Sequence, residues 1–222
     1  MALQYRTQGF VLSKTDSGEA DRLFTLFTSD FGKINVLGRA IRKIASKLRG
    51  GLEIGSFSEI EFIQGKTYKT LTDAFILNNY PSLKSNPLKL KTAYKIAQVT
   101  NSLSVEDKEV FNLIKTAYEG IDSDDPSAYQ YFIWNFFSVL GYKPELERCI
   151  VCQRKTDLCF FSPEEGGSVC SFCRKGYKTD EKTLKAISTI LRKETLKDIP
   201  LGIRDLANNY YLYLLSVYNQ SI

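Results

Sequence analysis

The sequence predicts a multidomain α+β chain in which an N-terminal β-barrel is followed by an α-helical C-terminal domain with a cysteine-rich insert. Three features carry that prediction. Five short β-branched and aromatic runs fill the first 79 residues, the apolar period turns helical from residue 80 onward, and two C-x-x-C pairs break the helical pattern. The 222 residues are 43% apolar, enough to bury more than one small core.

The strands come first. Tyr5–Lys14, Arg22–Thr28, Lys33–Leu37, Ser56–Ile63 and Lys69–Leu77 are rich in Phe, Ile, Val, Tyr and Thr. Asp16-Ser17-Gly18, Asp30-Phe31-Gly32 and Gln64-Gly65-Lys66 supply turns between them. So small a sheet disposes of its edges best by closing on itself. The OB-fold is the usual five-stranded closure, so residues 1–79 read as an OB-fold nucleic-acid-binding domain. A longer basic segment, Gly38–Gly55, lies between the third and fourth strands.

Residues 80–222 read as a helical domain. Leu90, Ala93, Tyr94 and Ala97 repeat at helical spacing, as do Val110, Leu113, Ile114, Ala117, Tyr118 and Ile121. Asp125-Pro126 is a helix start, with a capping carboxylate before a proline at the first helical position. Its helix carries Tyr131, Phe132, Phe136, Val139 and Leu140 and stops at Gly141, with Pro144 beyond. The period returns in Leu184, Ile187 and Leu191, then in Ile203, Leu206, Ala207, Tyr210, Leu214, Val217 and Tyr218.

The insert at 145–178 interrupts that domain. Cys149-Ile-Val-Cys152 and Cys170-Ser-Phe-Cys173 are 17 residues apart, within the spacing of a four-cysteine zinc finger. Each C-x-x-C turn can aim two sulfurs at one ion, and four thiolates leave a tetrahedral Zn2+ no open position, so the expected role is structural. Reduced, unmetallated thiols and a redox pair are the alternatives. Cys159, inside Leu158-Cys159-Phe160-Phe161, reads as a core thiol and not a ligand.

Charge and composition narrow the function. There is no histidine, which removes Ser-His-Asp and Cys-His catalysis and His-ligated metal sites. No catalytic residue is expected. Thirty Lys and Arg against 25 Asp and Glu leave +5. Between Asp30 and Glu53 no acid occurs, while Lys33, Arg39, Arg42, Lys43, Lys47 and Arg49 do. On an OB barrel such a run reads as a phosphate-tracking surface, against the simpler alternative of a solvated loop. Phe10, Phe24 and Phe27 read as core. Asp30-Phe31-Gly32 lacks the other kinase signatures and reads as a hairpin turn. Gly65-Lys66-Thr67 lacks the first P-loop glycine, since position 60 is Ile60. The longest uncharged runs, Pro126–Tyr142 and Leu206–Ile222, are short of a membrane span, and the N-terminus lacks a basic-then-apolar signal. A cytoplasmic protein is expected.

Together these residues resemble the RecO family of bacterial recombination mediators. Gly9-Phe10-Val11-Leu12 and Glu19-Ala20-Asp21-Arg22-Leu23-Phe24 look like its opening strands. So do Gly38-Arg39-Ala40-Ile41-Arg42-Lys43 and the Ser46-Lys47-Leu48-Arg49-Gly50-Gly51-Leu52 that follows. Phe137 to Pro144, then Phe161-Ser162-Pro163 and Gly166 to Cys170, look like its path into and through the zinc insert. The resemblance spans about residues 1–215, with a reduced C-terminal helical region. It implies a DNA repair protein of the RecF-pathway type that binds single- and double-stranded DNA and anneals complementary strands. It further implies partners: RecR, the C-terminal tail of single-strand-binding protein on the helical domain, and RecA indirectly, in a nucleoid-associated setting without a membrane. Two other readings stay open: an RNA-binding or ribosome-associated zinc protein, and a hydrolase holding a metal with Asp16, Glu19 and Asp21.

Overall fold

In a computed structural model, residues 3–44, 46–65, 67–103, 107–194 and 196–220 are described, with Lys47, Arg49, Asn219 and Gln220 as backbone only. The chain forms two compact units, one to Asp124 and one from Asp125.

The first unit is built on five strands: β1 (Gln4–Ser17), β2 (Asp21–Thr28), β3 (Gly32–Gly38), β4 (Phe57–Gln64) and β5 (Lys69–Asn78). They close in the order β1-β2-β3-β5-β4, every pairing antiparallel except β3 with β5. That order, with its single parallel junction, is the OB topology. The pleat explains the pattern: Phe24, Leu26, Val36, Ile60, Phe62 and Leu71 alternate inward and are buried. Phe10, Phe24 and Phe27 are core residues, as expected. The Asp30-Phe31-Gly32 sequence is a hairpin turn. Gly32 takes φ 59°, and the Asp30 carboxylate accepts from the Thr7 and Ser29 hydroxyls at 2.6 and 2.7 Å.

Helices α1 (Pro81–Ser85), α2 (Pro87–Ser102) and α3 (Lys108–Asp122) follow. Strand gives way to helix at residues 79–80, yet the compact unit runs on to Asp124, with α3 packed against the barrel. Its Phe111 and Tyr118 rings lie 5.3 Å from Phe10, and Phe111 also meets Phe57 at 6.0 Å. Asn86 caps α2 by accepting from the Leu88 amide at 2.9 Å, and Asp107 caps α3 through Glu109 at 2.7 Å. One expectation fails on α2. Its buried face is Ala93, Ile96, Ala97, Val99 and Thr100, so Tyr94 points outward and is 45% exposed.

The second unit holds α4 (Ala128–Val139), α5 (Glu181–Leu191) and α6 (Gly202–Gln220), with a three-stranded sheet between α4 and α5. That sheet has the order β7 (Gly167–Cys170), β6 (Leu158–Ser162), β8 (Tyr177–Lys178). The helix expected at Asp125-Pro126 begins at Ala128. The Asp125 carboxylate instead accepts from the Ser127 amide and hydroxyl, at 2.8 and 2.7 Å, and holds a turn ahead of it. Its end is as expected. Gly141 takes φ 86°, and Tyr142 N–H reaches back to the Phe137 carbonyl at 2.8 Å. Trp134 sits against Phe137, Phe161 and Tyr210, with centroids 5.7, 5.8 and 6.1 Å away. Phe161 belongs to β6, so the insert is rooted in the helical core. Among the described residues no helix is long and apolar enough to cross a membrane.

Candidate metal centre and nucleic-acid interface

Two similar turns build the cysteine centre. In each C-x-x-C the first sulfur accepts backbone N–H groups two and three residues on: Val151 and Cys152 for Cys149, Phe172 and Cys173 for Cys170. Each turn is then closed by a main-chain bond to the first cysteine's carbonyl, from Gln153 at 2.8 Å and from Arg174 at 3.1 Å. Gln153 and Arg174 both adopt left-handed backbone, φ 64° and 49°. Their side chains bond back to the carbonyls of Ile150 (3.5 Å) and Ser171 (2.9 Å), which helps a non-glycine residue hold that conformation.

The hairpin joins the turns. Cys170 ends β7 opposite Leu158, Ile150 N–H donates to the Ser168 carbonyl at 3.0 Å, and Ser171 N–H donates to Asp157 at 3.0 Å. As a result the sulfurs of Cys149, Cys152, Cys170 and Cys173 all lie within 4.8 Å of one another, with Cys152 and Cys170 at 3.6 Å. A tetrahedron with metal–sulfur bonds of about 2.3 Å has edges of about 3.8 Å. All five cysteines are free of disulfides. Cys149 and Cys170 are buried with Val169, backed by Ile150, Leu158 and Phe160, while Cys152 is exposed.

Ionisation of the four thiols is uneven. Burial resists charge on Cys149, yet the backbone N–H groups aimed at its sulfur outweigh it and lower its pKa to about 6. Cys170 is lowered as well, chiefly by the Cys173 N–H. Cys173 is pushed up to about 12, first by its hydrogen bond with Cys152 and by burial. Thiolates this close repel one another, and a divalent cation bound among them relieves that repulsion. The set can hold a metal. Cys159 stands outside it: a bulge between Leu158 and Phe160 leaves it half-buried, not in the core as expected.

The basic loop folds back on the barrel through buried Ile41, Leu52 and Ile54. Gly51 passes so close to β5 that an added Cβ would collide with the Ala74 carbonyl. The segment is free of acids in sequence but not in space. Asp16 pairs with Arg22 at 2.8 Å and with Arg42 at 3.4 Å, and Arg42 also donates to the Gly18 carbonyl at 3.2 Å. The hydrogen bond from Arg22 holds the Asp16 pKa below its usual value. Asp21 accepts from the Ala40 N–H at 2.7 Å. Lys33 donates to the Asn101 carbonyl at 3.0 Å and pins β3 to the end of α2. Arg39 and Lys43 remain exposed, with no carboxylate partner among the described residues. The side chains of Lys47 and Arg49 lie outside the described residues. A cleft of about 290 Å³ opens beside the loop, lined by Arg22, Phe24, Ile41, Arg42 and Leu52. Asp16 and Asp21, two acids of the hydrolase alternative, are thus engaged by arginines and by a main-chain amide.

A second basic segment was missed. Residues 74–105 contain no acid and carry Lys84, Lys89, Lys91 and Lys95. Lys89 pairs with Asp124 at 2.9 Å, and Lys84 donates to Asn79 at 2.6 Å. Lys91 and Lys95 stand with Tyr94 on the outward side of α2. A count of acids over residues 80–105 would have found them.

A closed OB-type barrel bearing exposed cations and a helical unit with a four-thiol centre that could hold a metal together define the class of protein. Comparison with known proteins specifies the family. The family model for recombination protein O, N terminal, matches residues 1–80, and that for recombination protein O, C terminal, matches residues 102–208. The DNA repair protein RecO of Dehalococcoides mccartyi strain 195 is 30% identical over 203 residues, covering 88% of this chain and 80% of the relative. The protein of the same name from strain BAV1 is 29% identical over 222 residues, 90% and 88% of the two chains. That of Heliobacterium modesticaldum is 30% identical over 180 residues, 77% and 66%. The chain belongs to the RecO family of DNA repair proteins.

Proposed function

We propose that this protein binds single- and double-stranded DNA, anneals complementary strands and, with RecR, helps RecA load on strands coated by single-strand-binding protein. Family membership across both units, on an OB-type barrel, is the observation that supports this reading most. In it, residues 1–79 are the nucleic-acid-binding domain and residues 80–222 the helical domain, which receives the tail of single-strand-binding protein. The protein acts in the cytoplasm, with the nucleoid, by binding and not by turnover.

Phosphate contact falls to Arg39 and Lys43, with Lys47 and Arg49 from the same loop and Lys91 from α2. Arg42 and Lys33 contribute field more than contact, since each is already bonded within the protein. Cations that neutralise phosphates release condensed counterions and lower the repulsion between two strands. Complementary bases then meet without a nucleoside triphosphate. Cys149, Cys152, Cys170 and Cys173 hold one zinc ion, which contributes folding energy and no chemistry.

The test is an annealing assay on fluorescently labelled complementary strands, bare and coated with single-strand-binding protein. Faster annealing in both states, with no nucleotide added, is expected. Failure to bind or anneal DNA, with tight binding of a matched RNA strand, would replace this reading with the RNA one.

A further inference from the structure

The two cysteine turns carry a surface that the metal does not explain. Phe172, the third residue of its turn, is 69% exposed, and Val151 at the equivalent position of the other turn is 43% exposed. The Arg154 guanidinium lies over the Phe172 ring, 4.0 Å from its centroid. Exposing a phenylalanine forgoes most of its burial free energy, and the cation–π contact with an exposed arginine returns only a small part of it. The electrostatics point one way. Residues 148–156 and 166–179 contain no acid and carry Arg148, Arg154, Lys155, Arg174, Lys175 and Lys178. Arg148 is paired with Glu145 at 3.4 Å and Lys175 with Glu165 at 2.7 Å. Arg154, Lys155, Arg174 and Lys178 have no carboxylate partner among the described residues and are exposed.

An exposed aromatic ring with a guanidinium over one face and its other face open, set among cations without carboxylate partners, matches a partner with flat faces and a polyanionic backbone. A single nucleic-acid strand has both, and its unpaired bases are free to stack. A duplex offers the charge but not the bases. We propose that the Phe172–Arg154 platform is a stacking contact for unpaired bases of single-stranded DNA, with Lys155 and Arg174 taking the adjoining phosphates. This inference rests on the DNA-binding reading above and assigns a second, metal-organised contact within it. The closed cysteine turns supply the rigidity: both platform residues are within two positions of a ligand, so the metal fixes their spacing.

Phe172→Trp, Phe172→Ala and Phe172→Tyr, each checked for wild-type zinc content and circular dichroism, are titrated with a thymine homopolymer and with a duplex of equal length. Trp134 is buried, so emission change on adding the strand reports the new indole. Quenching of that indole by the single strand is expected. Phe172→Ala should weaken single-strand binding about tenfold, the order of one lost base stack, with the duplex much less affected and the salt slope unchanged. Phe172→Tyr should restore wild-type affinity. Wild-type protein that binds the strand, with no quenching of the indole and no loss in Phe172→Ala, would overturn this inference while leaving the DNA-binding reading intact. Wild-type protein that binds no strand would overturn both.

Discussion

Cys159 shares a hairpin with four other thiols, yet the bulge at its position sets it apart from them. The metal ligation proposed above therefore separates by single substitutions. Cys149→Ser should abolish stoichiometric zinc, because the tetrahedral site loses one of its four thiolate ligands. Cys159→Ala should retain one zinc per chain. Elemental analysis of the two variants checks this, and loss of metal in Cys159→Ala would mean a different ligand set. Charge reversal is equally position-dependent. Arg42 faces Asp16 at 3.4 Å, so Arg42→Glu places two carboxylates together at the tip of the β1–β2 hairpin and should lower the thermal midpoint. Arg39→Glu meets no such acid and should leave the midpoint within a degree or two. Scanning calorimetry distinguishes them, and equal midpoints would show that the Asp16 pairing contributes nothing.

At the scale of elements, legibility in the sequence followed the physics of each one. The five strands were legible because they are rich in β-branched and aromatic residues and the turns carry Gly and Asp where the chain reverses. Helix α3 was legible because large residues mark its face: Val110, Leu113, Ile114, Ala117, Tyr118 and Ile121 are all buried. In α2 the buried face is Ala93, Ile96, Ala97, Val99 and Thr100, and Leu88 and Tyr94 face outward, so the period misled. The cysteine pairs were legible by spacing alone, but the bulge that displaces Cys159 depends on pairing across the sheet. The screening of Arg42 was hidden for a related reason: Asp16 is distant along the chain and adjacent in space. The insert makes its own prediction. Its sheet is small, and the proposed metal would link its two turns, so chelation should raise amide exchange through residues 145–178. Phe161, packed on Trp134 at 5.8 Å, should keep β6 protected longest. Barrel amides should not change. Hydrogen exchange followed by mass spectrometry reads both, and uniform loosening of both units would contradict a local role for the metal.

For the whole molecule, the OB barrel and the family place it in DNA repair, and the proposed action is binding governed by phosphate charge. Ten of the cations lie in two acid-free segments, residues 31–52 and 74–105, of the first unit. A protein working this way has little base preference and a steep dependence on salt. The direct measurement is a salt titration of single-strand affinity for the wild type and for the Arg39→Glu, Lys43→Glu double variant, with folding checked by circular dichroism. The wild type should lose affinity along a log–log line whose slope is about −0.7 per phosphate contact. The double variant should bind more weakly on every sequence, with a slope shallower by about 1.4 if both residues touch phosphate. Unchanged affinity and an unchanged slope would contradict the account and move the DNA surface off the barrel loop.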